Sequence, residues 1–173
     1  MIETPQEYTA RIIGYVGKNN PLAILSSTPK KIRRLVSKSK KKALYKKPSP
    51  KKWSVAEIIA HLAETELVMA WRYRSSAEKN KVMIQPFEQD DWAKNSRYHK
   101  SDIDEMLTVL SVVRKANLKF LTNLPNKKLK NFGMHQERGK ETISHMIRLE
   151  AGHDINHLKQ IKSILSSNSK KKS

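Results

Sequence analysis

The segment ISHMIRLEAGHDINHLKQIKSIL, residues 143–165, decides how the rest of this 173-residue chain is read. Ile143, Met146 and Ile147 recur at three and four residue spacing, the signature of an amphipathic helix. Carried onward, that stripe does not stay apolar. It meets Glu150, His153 and His157 before returning to Ile161 and Ile164. A buried face interrupted by two imidazoles and a carboxylate pays a desolvation cost unless those groups are bonded or ligated. Histidines at i and i+4 stand one turn apart, so both rings can reach one ion.

Three more helices come from the same periodicity. Thr28 before Pro29 reads as an N-cap with proline at the first helical position, opening a helix through Ile32, Leu35 and Val36. Ser54-Val-Ala-Glu57 has capping-box spacing. It starts a second helix, expected to reach about Lys81, on which Val55, Ile58, Ile59, Leu62, Met69 and Tyr73 form the apolar stripe. Ser101-Asp-Ile-Asp104 opens a third with Ile103, Met106, Leu107, Leu110, Val113, Phe120 and Leu121, ending before Pro125. Alternating strand patterns are absent from this reading. Four amphipathic helices with a short N-terminal extension predict an all-α four-helix bundle. One domain is expected over residues 1–166, with a linker at about 38–52 and a basic disordered tail at 167–173.

Composition narrows the chemistry. Cysteine is absent, which excludes disulfides, thiolate metal sites and a cysteine nucleophile from the chain. Any thiol must come from a substrate. No apolar run approaches the roughly 18 to 20 residues of a membrane span, and the start is not a secretory leader, so a soluble, cytoplasmic protein is expected. The 35 Lys and Arg against 16 Asp and Glu give a net charge of +19. Twelve of those cations lie between Lys30 and Lys52 with no acid among them, and three more in the terminal SKKKS. The run has one tyrosine and few arginines, so it predicts a solvated loop peripheral to the fold or a non-specific polyanion contact, not base reading.

His61, within KWSVAEIIAHLAETE, stands at the edge of the second helix's apolar face and completes a candidate metal triad with His153 and His157. Three histidines would leave a position open for water or substrate. A di-iron carboxylate site is the rival, but Glu57 is four residues from His61, the wrong spacing for a second Glu-x-x-His. Glu64, one turn past His61, and Glu150, one turn before His153, are candidate proton acceptors or orienting groups, with His135 a third candidate from the preceding loop. Asp154 points about 100° away from His153 and reads as structural. His99 and His145 read as ordinary side chains. Trp53, Trp71 and Trp92 read as packing anchors, whereas Arg72, Arg74 and Arg114 are unranked.

The segment Lys52–Leu62, the Gly133-Met-His135 and Gly139 spacing, and Gly152-His153-Asp-Ile-Asn-His157-Leu158 together resemble the DinB-like, DNA-damage-inducible superfamily. That group includes bacillithiol-transferase-like proteins and is related to mycothiol-dependent maleylpyruvate isomerases. The resemblance spans about Pro21 to Ile164. It implies an up-down-down-up bundle, often a homodimer, with a divalent metal (zinc, nickel, iron or manganese) on His61, His153 and His157. The implied activity is a metal-dependent thiol transfer, with a low-molecular-weight thiol and a small-molecule substrate, or a hydrolysis. The alternative is a non-catalytic, metal-stabilised stress-response protein. The lysine-rich insert before Pro48 departs from the family pattern.

Overall fold

Two apolar clusters set the directions of the helices. In the computed structural model, which describes residues 3–170, one cluster gathers Ile32, Leu44, Val55, Ile58, Leu62, Ile103, Leu107, Leu158, Ile161 and Ile164. The other gathers Val16, Leu25, Met69, Tyr73, Ile84, Leu121, Ile143, Met146 and Ile147. Helix α2 (Pro21–Ser37) runs from the second cluster to the first, and α4 (Val55–Glu78) returns. Helix α6 (Ile103–Asn123) also runs from first to second, and α7 (Ile143–Lys170) comes back. The order is therefore up, down, down, up. Two parallel neighbours in sequence order need a crossover, and residues 79–102 supply it.

The N-terminal extension is itself a helix, α1 (Pro5–Gly14), started by a capping box between Thr4 and Glu7. It crosses α7 at Gly152, where a Cβ would lie 2.1 Å from the Ile12 carbonyl oxygen. Only glycine permits that approach.

Several boundaries differ from the sequence reading. The first bundle helix starts at Asn20, whose side chain caps Leu22 and Ala23, with Pro21 at the first position. Thr28 and Pro29 are buried inside that helix, because Asn-Pro eight residues earlier carries the same start signal. Helix α4 ends at Glu78, short of Lys81, whose φ of 65° cannot continue a right-handed helix. The basic linker folds one turn, α3 (Lys41–Tyr45), with Leu44 in the core. The polar stretch around Trp92 holds α5 (Gln89–Asn95) and a 3-10 turn at Tyr98–Lys100. The last helix continues through Lys170, and residues 171–173 of the expected tail lie outside the described residues.

A small sheet was also unforeseen. Strand β1 (Val82–Ile84) pairs in parallel with β2 (Phe132–His135), which forms a hairpin with β3 (Gly139–Thr142). Strands of three or four residues are too short to display a two-residue period. The hairpin's second strand begins at Gly139, which pairs with His135 and has a φ of 77°, a left-handed conformation that favours glycine. No helix of the described residues is long and apolar enough to cross a membrane.

Candidate metal centre

Between the two apolar clusters lies a layer of buried polar side chains. His61 comes from the second turn of α4, and His153 and His157 from the middle of α7. Their ring nitrogens face inward: His153 Nε2 lies 3.1 Å from His61 Nε2 and 3.0 Å from His157 Nε2. His61 and His157 are buried and His153 is half-buried. The capping box of Ser54 and Glu57 fixes where α4 begins, and so where His61 falls.

Protonation makes this arrangement informative. Burial pushes His61 down to about 3, helped by the charge of His157, and pushes His157 down to about 4. His153 is depressed well below its usual range by burial and by both neighbours. All three rings are neutral at physiological pH. His157 Nδ1 lies 2.9 Å from Gln160 Oε1, which can only accept, so the proton is on Nδ1 and Nε2 offers a lone pair. One proton on His153 Nε2 cannot point at both neighbours. A shared cation resolves the conflict, and ligands with bonds of about 2.0–2.1 Å in a tetrahedral site stand about 3.3 Å apart. The three residues therefore fit one first-row divalent ion, and the second nitrogen of His157 is already oriented by Gln160, as ligating histidines require. His61 Nδ1 has no such partner. Its ring is held by packing against Trp53, with centroids 4.9 Å apart.

Behind the triad, Arg114 ties the bundle together. Its Nε donates to Glu66 Oε2 at 2.5 Å and its Nη1 to Asp154 Oδ2 at 2.6 Å. Nη1 also donates to the Leu25 carbonyl at 3.0 Å. That carbonyl is available because Pro29, four residues on, has no N–H to give it. Asn117 donates to the other Glu66 oxygen at 2.6 Å. Tyr73 donates to Glu150 Oε2 at 2.5 Å, whereas Glu150 Oε1 lies 3.3 Å from Arg114 Nη2 without hydrogen-bond alignment. Three carboxyl groups share one guanidinium. Burial, then the nearby Glu66 carboxylate, pushes Glu150 well above the usual carboxylate range.

The sequence pattern of the DinB superfamily matches residues 24–161. The chain belongs to this superfamily. It is 25% identical over 112 residues to one candidate metal-dependent hydrolase of Oceanobacillus iheyensis, and 22% identical over 117 residues to a second. These matches cover 65% and 68% of this chain. They take in 64% and 67% of the relatives, so the chain spans about two thirds of the length of the curated proteins it matches. YfiT from Bacillus subtilis, described as a probable metal-dependent hydrolase with an unusual four-helix bundle topology, superposes with a TM-score of 0.81 at 18% identity, covering 86% of each chain. That identity speaks for the shared fold.

The other candidates fall in different places on this DinB bundle. Glu64 is half-buried, accepts from the Tyr98 hydroxyl at 2.7 Å, and lines an open cleft of about 570 Å³ with Leu67, Val68, Trp92, Asn95 and Ser96. Glu150 belongs to the Arg114 network rather than to that cleft. His135 sits buried on β2, where its Nδ1 accepts from the Glu137 and Arg138 amides, and it feels the charges of Arg138, Glu141 and Arg72. Among the described residues, the group able to share one ion is His61, His153 and His157, and His135 is not part of it. Asp154 is structural, as its direction implied. Trp71 is exposed rather than packed, at 74%.

Sequence reasoning missed Glu66, Arg114 and Asn117 as partners of the site. Their signal was present. Glu66 interrupts the α4 stripe between Leu62 and Met69, and Arg114 and Asn117 interrupt that of α6 between Leu110 and Leu121.

Proposed function

We propose that this chain is a metal-dependent hydrolase that holds one divalent ion on His61, His153 and His157. The observation that carries the reading is the convergence of three neutral imidazole nitrogens from two facing helices. An ion held there supplies Lewis acidity and lowers the pKa of a water or substrate thiol toward neutrality. The rest is done by side chains. Gln160 and Trp53 set the ring orientations of His157 and His61. Glu64 takes up the proton from the nucleophile on the carboxylate oxygen that Tyr98 does not occupy. Tyr98 holds that carboxylate at the cleft, and Leu67, Val68 and Trp92 give the substrate apolar walls.

Hydrolysis is favoured by the names of the relatives, and thiol transfer is the arm against which it is tested. Protein purified without a His tag is analysed for metal and compared with the three His→Ala variants. About one ion per chain, lost in each variant, is expected; undiminished metal in all three removes the site. Metal-reconstituted protein is then assayed on amide and ester panels, and on electrophiles with small thiols. Glu64→Gln is expected to keep its metal and lose at least tenfold in turnover. Turnover only in the presence of a thiol reassigns the reaction to transfer.

A further inference from the structure

The metal centre leaves unused the densest charge on the molecule. All twelve Lys and Arg between Lys30 and Lys52 are exposed, and the run contains no acid. Two are neutralised internally: Arg33 lies 3.6 Å from Asp104, and Lys47 lies 2.8 Å from Glu57. Among the described residues the other ten have no carboxylate within ion-pair distance.

A floppy linker could carry such charge without consequence, but this one is held. Leu44 is buried with Ile32 and Val55, and the Tyr45 hydroxyl donates to the Ser101 carbonyl at 3.1 Å. The second half of α2 is regular helix, so Lys30, Arg34 and Lys38 follow one edge at steps of about 6 Å. Lys41 and Lys42 on α3, with Lys51 and Lys52 before α4, continue the same end of the bundle, marked by Ile32, Leu44 and Val55.

We propose that this face binds the phosphodiester backbone of double-stranded nucleic acid without reading its sequence. Ten of its twelve cations are lysines, which meet phosphates as point charges and lack the bidentate fork that reads guanine. Its single aromatic, Tyr45, is committed to Ser101, so the face offers no platform on which unpaired bases stack. A bilayer fits less well. The large exposed apolar side chains are Leu67, Trp71, Met83, Trp92, Val112 and Met134, none of them in the run, so nothing there enters a lipid surface.

Fluorescence anisotropy of the full chain with a labelled 20-bp duplex, from 50 to 200 mM salt, tests this. Affinity is expected to be equal for unrelated sequences and to fall steeply with salt. Lys38, Lys40, Lys41 and Lys42 replaced together by Gln should flatten the log K against log salt slope by about 3 to 4, at roughly 0.9 for each phosphate no longer neutralised. Lys79, Lys119, Lys127 and Lys130, exposed and toward the other end, replaced together by Gln should leave the slope in place. Melting temperature and metal content are expected to be unchanged in both variants. Absence of binding at 50 mM salt, an equal loss from the second set, tighter binding to single strands, or tighter binding to phosphatidylserine vesicles at matched salt would each overturn the proposal.

Discussion

At the scale of single residues, the centre depends on which nitrogen of each imidazole is free. Gln160 fixes His157 by accepting from Nδ1, so Gln160→Ala frees the ring to rotate or change tautomer. The expected result is a 10- to 100-fold loss in metal affinity, measured by competition with a chelator, with the fold intact. Protonation gives a second test, best done on metal-free protein. His157 has its folded pKa pushed down to about 4 by burial, against about 6.5 in the unfolded chain. The unfolded state therefore binds the proton first as pH falls. The stability contributed by the neutral ring is complete above about pH 6.5 and is lost toward pH 4. Glu150, with its pKa raised, acts in the opposite sense, so the comparison must isolate the histidine. Thermal melts of wild type and His157→Gln at pH 7.5 and 4.5 do so. The wild type should lose more on acidification, and parallel losses in the two proteins would show that His157 is not the titrating group.

Among the elements, α1 crosses α7 in close backbone approach at Gly152. A methyl at position 152 would meet the Ile12 backbone, which cannot rotate away, so Gly152→Ala must displace one helix from the other. A loss of about 1–3 kcal/mol is expected by chemical denaturation, the range for overpacking. An unchanged midpoint would mean that α1 docks only loosely. The linker element α3 makes the contrasting case. Read from composition, it is peripheral, because six of the ten residues from Lys38 to Lys47 are basic. Leu44 nevertheless joins the core, and Leu44→Ala should cost about 2–5 kcal/mol. This separates what the sequence makes legible from what it does not. The four long helices and the three histidines could be read because their stripes run for many turns, and an interruption is visible only against a long stripe. One turn of helix at α3, or three residues of β1, has no period to show. The false start at Thr28–Pro29 is a different kind of miss, since the local signal was sound and the helix already begun at Asn20 overrode it.

For the whole molecule, the polar layer divides one apolar core into two and links α2, α4, α6 and α7 through Arg114. Such a layer is expensive to bury, and its members are bonded almost completely. Two accounts of its presence make different forecasts. If it exists for stability, replacing it with apolar residues of similar volume should weaken the bundle. If it exists to hold the register of α4 against α7, and so the distance from His61 to His153 and His157, that replacement should leave stability level or higher while spoiling the metal site. Arg114→Met alone decides neither, because it strands Glu66 and Asp154 without their cation and is expected to cost about 3–5 kcal/mol under both accounts. The informative protein is the combined Glu66→Leu, Arg114→Met, Asp154→Leu variant. We expect it to recover most of the stability lost by Arg114→Met. We also expect it to bind metal at least tenfold more weakly than wild type, although all three histidines remain. Recovered stability with unaltered metal affinity would show that the apolar clusters alone hold the helices in register.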